Sequence, residues 1–245
     1  RGVHDLAAWI AADESCINSP WEFGIENING AFDLLRKSVQ NQKKMCVIVD
    51  CDADGFTSSA IIINYLFLLY KEYVSEDKCQ ELLTYILHSG KEHGLADCYK
   101  NIQDDVEFVI IPDAGTNDIE EMQYLLTKGK QILCMDHHES DEWLPNNSNL
   151  VIINNQISNY PNKDLSGAGV TWQICRVYDK WMKFNYADNF IDLAALGNLS
   201  DMMDYRSLET RAIIKKGLDN IKNPFFYYMC EKNKFSIDKM GGINY

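Results

Sequence analysis

No stretch of 18 consecutive apolar residues occurs in the 245-residue chain, so the pattern expected of a membrane-crossing helix is missing. The longest apolar stretch, Ala60 to Tyr70, is interrupted by Asn64 and reads as a buried helix. No signal-peptide pattern opens the chain. None of the eight cysteines forms a C-x-x-C pair and their spacing is irregular, which argues against a disulfide framework and for a reduced, cytoplasmic protein. Cys46, Cys51 and Cys134 sit in or beside strand-like segments, where a thiol behaves as a small hydrophobe. Positive charge is scarce: 23 Lys and Arg stand against 36 Asp and Glu, a net charge of −13. That balance excludes a general basic surface for nucleic acid, unless the carboxylates cluster around metal ions or a basic region lies elsewhere. Internal repeats and low-complexity segments are missing too. The chain has no initial Met and stops on Gly-Gly-Ile-Asn-Tyr; we expect both ends to be cut from a longer protein.

What is present suffices for one sizeable core, since 46% of the residues are hydrophobic. Residues 1–40 read as a helical segment, with an amphipathic helix over Ile28–Val39. A main domain is expected over 41–220 and a connector from 221 to 245. Met45–Val49, Leu82–Leu87, Val106–Ile111, Gln131–Met135 and Leu150–Ile153 are short, apolar and rich in β-branched residues, and read as strands. Helices are expected over Thr57–Tyr73, from Asn117 or Asp118 to Lys128, Gly169–Lys183, Asn189–Met203, 207–222 and 224–233. Strands alternating with helices predict an α/β fold: a mostly parallel five-stranded sheet flanked by helices.

Ligands of open α/β sheets bind beyond the carboxyl ends of the strands. The first strand is followed by Asp50-Cys51-Asp52-Ala53-Asp54-Gly55, the third by Asp113, and the fourth by Asp136-His137-His138. These groups should converge on one sheet edge. So many carboxylates in one cleft repel unless protons or cations intervene, and carboxylates with imidazoles suit Mn2+, Mg2+ or Zn2+. A lone Asp after a strand is ordinarily a turn or capping residue; the joint placement is what points to metal. A calcium loop is excluded, because position twelve counted from Asp50 is Ile61 rather than Glu. Asp201 has two readings, a metal-cluster carboxylate flanked by the small residues Asn198, Gly197 and Ala194, or an exposed Asp at a helix end like Asp204.

Val49-Asp50-Cys51-Asp52-Ala53-Asp54-Gly55, Asp113, Asp136-His137-His138 and Gly197-Asn198-Leu199-Ser200-Asp201 resemble, in order, the four motifs of the DHH phosphoesterase superfamily. Leu165-Ser166-Gly167-Ala168-Gly169-Val170 and Glu209-Thr210-Arg211 are similar to segments of its RecJ branch of single-strand-specific exonucleases. The resemblance covers roughly residues 25 to 220. It implies two metal ions, Mn2+ or Mg2+, held by Asp52, Asp54, Asp113, His137 and Asp201, with Asp113 between them. It implies that His138 meets the scissile phosphate or a metal, that Asp136 orients the histidines, and that Asp50 is a ligand or a supporting group. Gly167, Gly169 and Arg211 become candidates for substrate contact, and Lys91 and His93, in the stretch before Gly94-Leu95, join them. The implied reaction is hydrolysis of single-stranded DNA from its 5′ end by a monomer, with replication or repair proteins as further partners.

The chain departs from its apparent relatives in places. Ile48 stands where some relatives carry a His four residues before the first metal-binding Asp, and Lys91 and His93 lie where RecJ has an Arg-bearing segment. The second domain that grips nucleic acid in such enzymes leaves no signature before Tyr245; Gly241-Gly242 is a candidate start of its connection. Alternatives are a phosphodiesterase of short oligonucleotides, adenosine bisphosphate or cyclic dinucleotides, and a scaffold that has lost catalysis.

Overall fold

A computed structural model of the chain describes residues 5–88, 93–96 and 98–232. Five strands, β1 (Met45–Val49), β2 (Leu83–Leu87), β3 (Phe108–Pro112), β4 (Gln131–Asp136) and β5 (Leu150–Asn154), form one sheet in the order β2-β1-β3-β4-β5. Every neighbouring pair is parallel, with Val49 opposite Leu87 and Ile110 opposite Leu133. Such a sheet buries both faces, and every residue of β1, β3 and β5 is buried. The expected parallel five-stranded sheet is therefore present. The chain runs from β1 to one flank and returns to the other side of β1 as β3. The strand order thus reverses between β1 and β3, the place where open sheets bind ligands.

Nine α-helices accompany the sheet among the described residues: α1 (Leu6–Ala11), α2 (Ile25–Gln40), α3 (Ala53–Lys71), α4 (Glu76–Leu82), α5 (Ile119–Thr127), α6 (Gly167–Met182), α7 (Ile191–Ser200), α8 (Leu208–Leu218) and α9 (Pro224–Lys232). One sheet face, with Val47, Ile110 and Leu133, packs with Ile28, Leu35, Ile62, Leu66, Val170 and Ile174 of α2, α3 and α6. The other, with Ile48, Val109 and Ile132, packs with Met122 and Leu125 of α5. Each such side chain, fully buried, contributes roughly 1.5–3 kcal/mol. A third cluster joins α8 to α9 through Ile214, Leu218, Phe226 and Cys230. α2 ends at Gln40, and its Ile28, Leu34 and Val39 belong to the main core.

By length and composition α3 could cross a membrane, yet 61% of its apolar window is buried inside this fold. It begins at Ala53, four residues before the expected start, because Asp52 caps it by accepting a hydrogen bond from the Gly55 N–H at 2.8 Å. α4 is an addition: its polar sequence Glu-Asp-Lys-Cys-Gln-Glu-Leu hides the helical period, and only Cys79 and Leu82 are buried. The expected helix over Asn189–Met203 is shorter, with Phe190 at its N-cap. It stops at Ser200 because Met202 turns left-handed at φ 53° and Met203 N–H returns to the Asn198 carbonyl.

Candidate metal centre

Asp50, Asp54, Asp113, Asp136, His137, His138 and Asp201 are delivered to one edge of the sheet by β1, the first turn of α3, β3, β4 and the end of α7. His137 is the hub. Its Nε2 lies 3.2 Å from Asp113 Oδ1, 3.6 Å from Asp201 Oδ2 and 3.8 Å from Asp54 Oδ2. Ligand-type atoms of Asp54, His137 and Asp201 lie within 4.8 Å of one another, as do those of Asp113, His137 and His138. The two sets share His137.

Asp54 is buried at the start of α6, where its Oδ2 accepts from Gly167 N–H at 2.7 Å and its Oδ1 from Ala168 N–H at 3.1 Å. The positive end of that helix favours a carboxylate. Burial and the neighbouring Asp113 carboxylate nevertheless push the Asp54 carboxyl well above its usual range, against a smaller opposing pull from His137. Burial raises Asp113 in the same way, reinforced by Asp52, Asp136 and Asp50. Asp113 also adopts a left-handed backbone, φ 66°, a conformation that side-chain-bearing residues keep only where their surroundings enforce it. Its Oδ1 is buried and has no hydrogen-bond partner among the described residues. A buried, donor-starved oxygen in a crowd of carboxylates fits a cation.

Asp136 has a different task. Its Oδ1 accepts from His138 Nδ1 at 2.7 Å and from the His137 N–H at 2.7 Å, and its Oδ2 from the Thr116 N–H at 2.9 Å. Burial pushes this carboxyl up, but the His138 and Thr116 hydrogen bonds outweigh it and hold it near 2. The same Asp136 bond lifts His138 to about 9. Asp201, the C-cap residue of α7, is half-buried, and burial raises its carboxyl despite the opposing His137.

Other candidates lie elsewhere. Asp52 is exposed and engaged as the α3 cap; it belongs to neither set of converging ligands. Gly167 is buried, and a Cβ there would lie 2.3 Å from Asp113 Oδ1. Gly169 is packed on Leu165, with its N–H bonded to Ser166 Oγ. Both glycines therefore shape the protein side of the centre, and their N–H groups already have acceptors. Arg211 is turned away onto Trp9, bonding its carbonyl at 2.5 Å with the guanidinium 3.5 Å from the ring centroid. His93 lies at the rim, where its Nδ1 donates to Asp50 Oδ2 at 2.7 Å. Lys91 and Gly241-Gly242 fall outside the described residues.

Sequence reasoning missed Thr116 and Asn154. Asn154 Nδ2 donates to Thr116 Oγ1 and to the His138 carbonyl, both at 2.9 Å, bracing the histidine turn from the end of β5. The strand-end rule that finds Asp50 and Asp113 applies equally to Asn154, the last residue of β5.

The chain is 37% identical over 238 residues to the putative SPbeta prophage-derived single-strand DNA-specific exonuclease YorK of Bacillus subtilis, covering 96% of this chain and 38% of that protein. It is 25% identical over 227 residues to the single-stranded-DNA-specific exonuclease RecJ of the same organism, covering 91% of this chain and 27% of the relative. The chain thus spans well under half the length of these relatives. Its fold resembles that of an exonuclease RecJ crystallised with manganese, with a TM-score of 0.73 at 19% identity over 88% of this chain and 55% of that one. The family model described as "DHH family, N-terminal domain" matches residues 44–198, the span that carries β1 to β5 and most of the converging carboxylates, and the chain belongs to the DHH family.

Proposed function

We propose that this chain carries the metal-dependent centre of a nuclease that hydrolyses single-stranded DNA from its 5′ end, using two Mn2+ or Mg2+ ions. The observation that carries the reading is the convergence of Asp54, Asp113 and Asp201 on His137 Nε2, with Asp113 Oδ1 buried and lacking a donor. The names of the relatives supply the substrate class.

In this reading Asp54, Asp113, His137 and Asp201 hold the ions, and Asp52 joins from the rim on the strength of the family resemblance. Bound divalent ions would acidify a water and neutralise charge on the phosphoryl oxygens. The protein's part is to orient and exclude. Asp136 engages Nδ1 of His138, so its Nε2 is left for the scissile phosphate. The α6 N-terminus fixes both oxygens of Asp54, and Gly167 allows Asp113 to approach closely.

Asp113→Ala in the full-length protein tests the reading with an end-labelled single-stranded oligonucleotide. Mn2+-stimulated hydrolysis should fall by at least about 100-fold, with an unchanged circular dichroism spectrum. Activity within a few-fold of wild type would sink the assignment.

A further inference from the structure

Two imidazoles at this edge are held in the same way, and only one belongs to the metal centre. His138 donates Nδ1–H to Asp136, and His93 donates Nδ1–H to Asp50, each at 2.7 Å. Both carboxylates are 1% exposed and stand at strand ends, Asp136 closing β4 and Asp50 following β1. Both rings are open to solvent, at 58% for His93 and 51% for His138. They line one cavity of about 300 Å³ together with Gly94, Ala114, Gly115 and Asn117.

The segment carrying His93 is anchored from two sides. His88 Nε2 bonds the Gly94 carbonyl at 2.6 Å, and Asp118 Oδ2 accepts the Leu95 N–H at 2.7 Å. Gly94 is left-handed at φ 66°, and a Cβ on it would lie 2.2 Å from Asp118 Oδ2. Asp118 and Asp136, the two carboxylates bordering the cavity, already have donors. Asp50 has one for each oxygen, Cys51 N–H at 3.0 Å and His93. Asp50 belongs to neither set of converging ligand atoms. With Nδ1 engaged, each imidazole can meet a ligand only through Nε2.

We propose that the cavity between His93 and His138 receives a phosphoryl group of the substrate, with His93 a contacting residue and Asp50 its positioning residue rather than a metal ligand. The inference rests on the nuclease reading above. A merely structural Asp50–His93 pair would satisfy the buried carboxylate and leave substrate affinity untouched, and that difference is measurable.

The experiment uses the full-length protein, a 5′-phosphorylated oligothymidylate, thymidine 5′-monophosphate as product analogue, and Mn2+ titration by calorimetry. His93→Ala should raise KM and the inhibition constant of the monophosphate about 10- to 100-fold, the range for losing a hydrogen bond to a charged group. His93→Gln, which keeps a polar tip, should recover part of that loss, and Mn2+ affinity should stay within about twofold of wild type. Asp50→Asn should reproduce the His93→Ala loss and add little in the double variant, since the two would act as one unit. Unchanged KM and inhibition constant in His93→Ala, independent losses that multiply in the double variant, or loss of Mn2+ in Asp50→Asn would each overturn the proposal. Should Asp50→Asn melt early, the two variants of exposed His93 carry the test. A wild type that binds Mn2+ yet cleaves no phosphodiester would overturn the nuclease reading instead; weakened monophosphate binding in His93→Ala would still decide this one.

Discussion

At Asp113 a left-handed backbone and a buried Oδ1 without a hydrogen-bond partner among the described residues coincide, beside a second buried carboxyl, Asp54. Burial raises both carboxyls first; the Asp113 charge adds to the rise at Asp54, whereas at Asp113 a hydrogen bond with Asp54 opposes the rise and the Asp52, Asp136 and Asp50 charges add to it. A raised folded-state value means that the folded state holds its protons longer than the unfolded one. The associated stability is fully present below about 3.8 and is lost as pH rises through the elevated folded values. Chelator-treated protein should therefore lose melting temperature as pH rises above about 4, through these groups. Asp113→Asn should flatten that loss, raising the neutral-pH melting temperature of the metal-free protein by a few degrees, about 2–4 °C per kcal/mol relieved. Thermal melts across pH, with and without Mn2+, check this; a steeper loss in the variant would contradict it. Gly167→Ala offers a companion test. Alanine ordinarily stabilises a helix by about 1 kcal/mol over glycine. Here the new Cβ would lie 2.3 Å from Asp113 Oδ1 and 2.6 Å from its Cα, so calorimetry should show weaker Mn2+ binding and a lower melting temperature. At this scale Asp50, Asp113 and Asp136 were legible because a polar residue directly after a buried strand is conspicuous. What Asp50 does was not legible, because its partner His93 lies 43 residues away on another loop.

The elements separate in the same manner. Strands were legible to within about two residues, because a fully buried strand is an uninterrupted apolar run. Helix ends were less so, since they depend on caps. Asp52 is both α3 cap and assigned ligand, and substitutions divide these roles. Asp52→Asn keeps an oxygen for the Gly55 N–H and should leave unfolding free energy within about 0.5 kcal/mol of wild type. Asp52→Ala should cost about 1 kcal/mol. Denaturant unfolding measures both. If Asp52 binds metal, the two variants lose Mn2+-dependent activity alike; activity retained by Asp52→Asn would leave Asp52 a cap alone. α7 shows a third case. Its last turn ends where Met202 goes left-handed, which sets Asp201 at the helix terminus facing His137. Neither of the two sequence readings of Asp201, ligand or helix-end residue, had to be false.

Across the whole molecule, the N-terminal segment and the helical C-terminal half meet at one buried carboxylate. Glu209 on α8 accepts from Asn18 N–H and Nδ2, from Tyr160 Oη–H at 2.6 Å and from Gln173 Nε2 at 2.8 Å. Glu209→Ala strands these donors and should destabilise the protein by about 2–4 kcal/mol, read by denaturant unfolding. A change below about 0.5 kcal/mol would show that the network is not a structural joint. Sequence reading assigned Glu209 no such task, since its partners are scattered over 191 positions. The converging ligands are dispersed likewise: positions 54, 113, 137 and 201 come from the first strand crossing to the seventh helix. None of these segments supplies two adjacent corners of the cluster. A nascent or nicked chain that has formed the sheet but not docked α7 would possess the histidine hub and two carboxylates, and would still lack a corner. Any ion requiring all four positions can bind only after the last of them arrives. Under the proposed reading, metal-dependent hydrolysis would then appear only once α7 has docked and would vanish whenever α7 lets go.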